Sequence, residues 1–347
     1  MIITRTPFRM SFFGGGTDLP SFFEENGGAV LSTTFDRYCY VTVRHLPPFF
    51  EYNTELSYSR IERVKDAADL EHPAVRNAMR MLRMRDLRIT YEADLPARSG
   101  LGTSSSFAVG MLNAFHALKD QYPEKKVLAD EAIYLERVLC GEAGGWQDQI
   151  AASFGGFNRI EFCGRVSEAK NSGEFPVYSY KVTPLEIADG RKEELNDRIC
   201  MFFTGFTRFS SDIQKANAAD GTDRGAQLRS MLELVPEAEK VLTGENRDLN
   251  DFGRLLDETW RLKRGTGSHI TSGSIDGLYE KGIRAGALGG KLLGAGGGGF
   301  MIFYTEPENR EKLLRAMDGL MSIPFRFENE GTKILYGVPE TFEDRGE

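Results

Sequence analysis

The stretch Leu95-Pro96-Ala97-Arg98-Ser99-Gly100-Leu101-Gly102-Thr103-Ser104-Ser105-Ser106 sets two glycines and a run of hydroxyl side chains directly ahead of an apolar helical pattern, Phe107, Met111, Ala114, Phe115 and Leu118. A helix start leaves its first N–H groups without intrahelical partners and carries partial positive charge. A glycine loop feeding such a start suits a phosphate group. The same serines could serve only as helix caps, and the loop alone leaves both readings open. Two further glycine loops flank it in sequence: Gly14-Gly15-Gly16-Thr17-Asp18-Leu19-Pro20 and Gly294-Ala295-Gly296-Gly297-Gly298-Gly299-Phe300. The last formally fits GxGxxG, but a dinucleotide site needs a helix next, and Phe300-Met301-Ile302-Phe303-Tyr304 reads as a strand. The P-loop pattern is absent too, since Gly290-Lys291 is followed by Leu292. The chemistry left is anion binding at glycine loops outside the two common nucleotide signatures.

These loops need elements to hold them. Residues 1–13 read as a strand ending at Phe12-Phe13, and 14–20 as a sharp turn. Segments 29–35 and 38–45 are β-rich, the second with alternating patterning. Residues 73–84 suggest a helix and 87–92 a strand leading into the loop at 95–106. Asp130 is expected to cap a helix running to Cys140. Strands are expected at 157–163 and 177–182, with 165–174 a hairpin-like excursion between them. A charged, turn-rich stretch at 183–196 marks the expected domain boundary, giving domains 1–190 and 191–347. Beyond it come a strand at 199–204, helical patterns at 226–242, 249–263, 274–285 and 308–321, a strand–loop–strand at 292–304, and short strands at 325–327 and 333–336. Strands and helices mix without strict alternation, so the fold class is α+β rather than a doubly wound sheet.

The chain of 347 residues exceeds what one core usually serves. A net charge of −8 argues against nucleic-acid or anionic-membrane partners in general. Cys39, Cys140, Cys163 and Cys200 show neither zinc nor disulfide spacing, and read as buried thiols of a cytoplasmic protein. His45, His72, His116 and His269 show no metal spacing. No apolar run approaches the ~20 residues of a membrane span, and the first residues carry Arg5 and Arg9 without the apolar core of a secretion signal.

The three loops, in this order and with P-x-x-x-G-L-G-[ST]-S in the middle one, closely resemble the GHMP kinases over essentially the whole chain. Arg9 with Gly-Gly-Gly-Thr-Asp resembles the sugar kinases of that superfamily rather than its mevalonate kinases. The pairing of that loop with Trp146-Gln147-Asp148-Gln149 and 294–299 is similar to the heptose kinases. The resemblance implies a two-domain fold, with a ribosomal-protein-S5-like N-terminal domain and a ferredoxin-like C-terminal domain. It implies ATP and Mg2+, and transfer to the anomeric C1 hydroxyl of D-glycero-D-manno-heptose 7-phosphate, giving the 1,7-bisphosphate for nucleotide-activated heptose synthesis. Another sugar such as fucose or galactose, or a non-catalytic sugar and ATP sensor, are the rival readings. The implied partners are a sugar phosphate and ATP, in a monomer or homo-oligomer.

Residue by residue, the resemblance implies a nucleotide cradle of Pro96, Ser99, Gly100, Leu101, Gly102, Thr103, Ser104, Ser105 and Ser106. Ser104 and Glu136 resemble the metal ligands, Asp148 the base, and Arg9 its pairing arginine. From the residues alone, Glu136 could equally pair with Arg137 on a helix surface, Asp148 form a turn, and Arg9 sit at a strand edge. The implied substrate side is Asp18, Gly15, Gly16, Thr17, Asp148, Gly296, Gly297 and Gly298. A phosphate on the substrate would need a second cationic site, for which Arg208, Lys263, Arg264, Lys291 and Arg98 are candidates.

Overall fold

A computed structural model describes residues 1–164, 175–205, 224–267 and 270–338. Strand β1 (Ile2–Phe13) alternates at its start and is then buried on both faces. The change has a physical cause: the end of β1 passes between two packed units. Phe12 and Phe13 each meet Phe252 edge-on at 5.1 Å, a residue far along the chain. The strand delivers its last residues, and the glycine turn after them, to the junction of the two units.

After the turn come helix α1 (Pro20–Asn26) and β2 (Gly28–His45), an unbroken strand of 18 residues. The two β segments expected at 29–35 and 38–45 are therefore one strand. The gap between them is a bulge, where Pro7 faces Tyr38 but Phe8 faces Phe35. Strands β3 (Thr54–Ser57) and β4 (Ile61–Val64) form a hairpin that the polar composition of 60–69 concealed. Helix α2 (Pro73–Met81) and β5 (Leu87–Ala93) follow.

Helix α3 (Thr103–Leu118) starts directly after Gly102 and is buried almost all round, as a helix sandwiched inside a domain must be. Helix α4 (Lys125–Ile133) starts earlier than expected. Asp130 lies inside it, ion-paired to Lys126 at 2.8 Å, and is not its cap. Its continuation Tyr134–Leu139 is a π-helical turn, closed by the Cys140 N–H donating to Leu135 O at 2.9 Å. Helix α5 (Gln147–Phe154), β6 (Asn158–Phe162) and β7 (Tyr180–Pro184) complete the first unit. The excursion expected at 165–174 lies outside the described residues.

Helix α6 (Asp189–Arg198) leads into β8 (Ile199–Phe203). Helices α7 (Gly225–Thr243), α8 (Asn250–Arg264) and α9 (Gly273–Arg284) precede β9 (Ala287–Leu292) and β10 (Phe300–Thr305). Helix α10 (Pro307–Ala316), β11 (Met321–Ser322), β12 (Phe327–Glu328) and β13 (Lys333–Gly337) follow.

One sheet runs β13-β1-β2-β5-β3-β4, with β12 and β6 also on β2 and β7 on β6. The other is antiparallel, β11-β8-β10-β9. The fold is α+β: helices and strands mix without strict alternation, and the strand pairings are antiparallel apart from β3 with β5. A single cut at residue 190 does not separate the sheets, because β12 and β13 return to the first one. Lys291 on β9 ties the second sheet to β1, its buried Nζ donating to the carbonyls of Ser11 at 2.9 Å and Phe12 at 2.7 Å. The cysteines are all free, but Cys163 is exposed and Cys140 half-buried, so the expectation of buried thiols holds for Cys39 and Cys200 alone.

Candidate active site

All three glycine loops open onto one cavity of about 1220 Å3 at the junction of the units. Two of them touch backbone to backbone. A Cβ on Gly100 would lie 2.3 Å from Leu293 O, and one on Gly294 2.4 Å from the Gly100 Cα. Both residues have positive φ, 82° and 80°. A side chain at either position would force the middle and C-terminal loops apart, which accounts for glycine there.

On the cavity wall Arg9 and Asp148 form a bidentate pair. Arg9 Nε donates to Oδ1 at 2.7 Å and Nη2 to Oδ2 at 3.0 Å, while Nη1 donates to the Gly100 carbonyl. The side chain of Arg9 is 5% exposed and that of Asp148 23%, so the carboxylate is the half that faces the opening. Asp148 occupies the first turn of α5, and Gly102 abuts both members of the pair. Such a fork fixes the carboxylate plane as well as its charge.

Asp18, in the first glycine turn, is buried. It accepts the Gly16 N–H at 2.9 Å and the Gln147 N–H at 3.4 Å. Burial, and then the charge of Asp148, raise its pKa above the usual carboxylate range. A Cβ on Gly145 would sit 1.8 Å from Asp18 Oδ2, so the glycine makes room for this carboxylate. Lys263, in the last turn of α8, is buried and donates to the Gly294 carbonyl. Burial and the neighbouring Arg9 push its pKa down to about 8, against the pull of Asp18 and Asp148. Lys291 is pushed well below the ordinary lysine value by burial and by Lys263 and Arg9.

The α3 N-terminus lies on the same wall, with no acidic residue in its first turn to compete for an anion. Gly100, Gly102, Thr103 and Ser104 line the cavity. Glu136, carried on the π turn, lines it too although its side chain is buried; π turns commonly mark such sites. Its Oε2 accepts from Ser105 Oγ at 2.6 Å and from the Gln149 amide. Among the described residues, none donates to Oε1. The residue expected beside Glu136 was Ser104; the direct hydrogen bond comes from Ser105, and Ser104 is exposed one position earlier on the helix.

The remaining residues separate into those at the cavity and those that hold the walls. Gly15, Gly16, Gly296 and Gly298 line it. Thr17 does not: its hydroxyl donates to Gly14 O and Ala29 O, both at 2.8 Å. Ser106 donates to Pro7 O at 2.9 Å, and Ser99 and Leu101 are fully buried, so these three build the loop from behind. Pro96 is exposed and off the cavity wall, and Gly297 is off that wall too, donating to Ile270 O at 3.0 Å. Arg208 and His269 lie outside the described residues. Arg264 pairs with Asp276 at 3.2 Å, away from the cavity.

Sequence reasoning missed Ser11, Gln147, Arg137 and Arg224, which line the cavity. Ser11 Oγ and Gln147 Oε1 are buried beneath the cavity surface, without hydrogen-bond partners among the described residues. Gln147 was legible as the neighbour of Asp148. Arg137 was legible only as a possible partner of Glu136, whereas it holds the Gly145 carbonyl at 3.1 Å.

Comparison with known proteins adds to this geometry. The family described as GHMP kinases N terminal domain matches residues 61–156, and that described as GHMP kinases C terminal matches 234–322. The chain is 29% identical over 349 residues to the D-glycero-alpha-D-manno-heptose 7-phosphate kinase of Campylobacter jejuni, covering 96% of this chain and 98% of that protein. The crystal structure of a D-glycero-D-manno-heptose 1-phosphate kinase from Bacteroides thetaiotaomicron matches with TM-score 0.76 at 25% identity, covering 97% and 99% of the two chains. Lactococcus lactis galactokinase, complexed with galactose, matches with TM-score 0.68 at 16% identity over 96% and 94%, a likeness of fold alone.

Proposed function

This chain belongs to the GHMP kinases and is an ATP-dependent sugar kinase of that family, and from that premise we propose that it phosphorylates the anomeric C1 hydroxyl of D-glycero-D-manno-heptose 7-phosphate. The observation that carries the reading is the Arg9–Asp148 pair set against the α3 N-terminus in a single cavity. The two heptose kinases named above differ in which phosphate their names specify, but each name is that of a heptose phosphate.

In this reading Gly100, Gly102, Thr103 and Ser104 receive the ATP phosphates through helix-start N–H groups. Asp18 takes acceptor hydroxyls, a carboxylate being able to accept two of them. Asp148 orients the attacking hydroxyl and takes its proton at a carboxylate oxygen. Carboxylates in general are weak bases, but an anomeric hydroxyl is more acidic than a simple alcohol, and phosphoryl transfer demands little early deprotonation. Arg9 holds the carboxylate in place and, with Lys263, offsets negative charge as it builds. The residues also fit Mg2+: Ser104 offers a hydroxyl, and Glu136 Oε1 is free of hydrogen bonds from the described residues on the same wall. Two hard oxygen donors suit an ion that keeps most of its waters. When bound, the ion would neutralise phosphate charge.

A substrate panel tests the assignment. ATP consumption should be fastest with heptose 7-phosphate and slow with free fucose or galactose. Turnover of a free hexose with none of the heptose phosphate would sink the reading.

A further inference from the structure

An acceptor that carries its own phosphate brings a dianion into the cavity, and some cation must meet it. Most of the cavity's cations are already spent. Arg9 is forked onto Asp148, Lys291 is held by two carbonyls, and Lys263 by a third. Arg137 donates to the carbonyls of Gly145, Glu142 and Ala143. Arg60 pairs with Glu71 at 2.7 Å. Arg98 belongs to the 95–106 loop, on the nucleotide side, and is engaged in contacts of its own. Among the described residues, Arg224 is the cavity cation whose guanidinium has no hydrogen bond or ion pair.

Its position follows from contacts in series. Gly102 abuts Arg9 and Asp148; Gly16 donates to Asp18. A Cβ on Gly16 would lie 2.9 Å from Leu228 Cδ2. Leu228 packs with Phe22 and Met231, which fixes the first turn of α7 over the first glycine loop. Arg224 precedes Leu228 by four residues, its carbonyl accepting the Leu228 N–H at 2.9 Å, so both lie on one helix face. Arg224 therefore lines the cavity at the first turn of α7, the turn that packs on the glycine loop carrying Asp18. In a heptopyranose the C1 oxygen and the C6–C7 arm leave from opposite sides of the ring oxygen. A C1 hydroxyl presented to Asp148 thus points the C7 phosphate away from the reacting oxygen, to a part of the cavity where a cation other than Arg9 must meet it.

We infer that the Arg224 guanidinium binds the phosphate already present on the acceptor, so that this residue makes the enzyme select sugar phosphates over free sugars. The inference rests on the proposed acceptor and adds a residue to it. Arginine suits the task because its planar fork matches phosphate oxygens in pairs.

The test compares D-glycero-D-manno-heptose 7-phosphate with the same heptose lacking the phosphate, using wild type, Arg224→Ala and Arg224→Lys. Wild type should prefer the phosphorylated sugar. Arg224→Ala should lower the ratio of kcat/KM between the two sugars by about 10- to 100-fold, mostly through KM of the phosphorylated one. Arg224→Lys, which keeps charge without the fork, should recover part of the ratio. A ratio unchanged in Arg224→Ala, or one in which both sugars fall equally, overturns the role of Arg224 while leaving the acceptor assignment standing. A wild type that prefers the phosphate-free sugar overturns both.

Discussion

Replacing Lys263 with methionine tests the electrostatics of the site through folding stability. The pKa of this amine falls from an ordinary 10.5 to about 8, first because it is buried and second because Arg9 is near. Between those values the unfolded chain binds the proton more tightly than the folded one. Stability from this group is thus present above 10.5, and is lost as pH falls toward 8. The gap corresponds to about 3 kcal/mol of destabilisation at neutral pH, of which about 2 kcal/mol is recovered between about pH 7.5 and about pH 10. Methionine has no proton to bind. The unfolding free energy of wild type minus that of Lys263→Met should therefore rise by about 2 kcal/mol across that interval. Remote groups that titrate there act alike in both proteins; Lys291, which Lys263 helps to push down, does not, so the two are compared in a Lys291→Met background. The lost bond to Gly294 O shifts the whole difference without changing its slope. Urea unfolding at the two pH values, after checking that two probes give coincident transitions, supplies the numbers. Parallel stability profiles would refute the reasoning, because they would mean that the amine keeps an ordinary pKa and is not confined between Arg9 and the two carboxylates. The same variant should lose activity, since a cation beside Asp18 and Asp148 is gone.

Three further substitutions address separate walls of the cavity. Asp148→Asn should lower kcat by about 10²- to 10⁴-fold with little change in KM for ATP, measured by steady-state kinetics. Gly145→Ala puts a methyl where Asp18 Oδ2 now lies, so the acceptor KM should rise by about tenfold or more; binding of ATP, followed by calorimetry, should hold. Glu136→Gln should raise the Mg2+ concentration for half-maximal activity by about 10- to 100-fold, while Tm changes little, since the amide oxygen can still accept from Ser105 Oγ.

The sequence carried the parts of the site that depend on local backbone demands. Glycines at 14–16, 100, 102, 294 and 296–299 marked the three loops, and all three open onto the cavity. Their mutual contact, Gly100 against Gly294, explains why glycine recurs at both. The helix after Gly102 was legible from apolar spacing for the same local reason. What failed depends on distant partners. The return of β12 and β13 to the first sheet is a pairing across the whole chain, invisible to a composition shift at 183–196. The π turn moves Glu136 toward Ser105, and no spacing rule written for a regular helix anticipates which serine meets it. Asp130 looked like a cap because capping residues and buried ion-paired carboxylates share one letter code. Arg224 was not singled out by any motif, and stands out because the structure places the other cations of the cavity on partners.

The oxygen that receives the phosphate tests the proposed activity most directly. Purified protein supplied with ATP, Mg2+ and D-glycero-D-manno-heptose 7-phosphate should yield a product whose new phosphorus signal couples to the anomeric proton in a proton–phosphorus correlation spectrum, with the original phosphorus still coupled to the C7 protons. A new phosphate coupled to any other ring proton, or no sugar bisphosphate while ATP is hydrolysed to inorganic phosphate, would contradict the account.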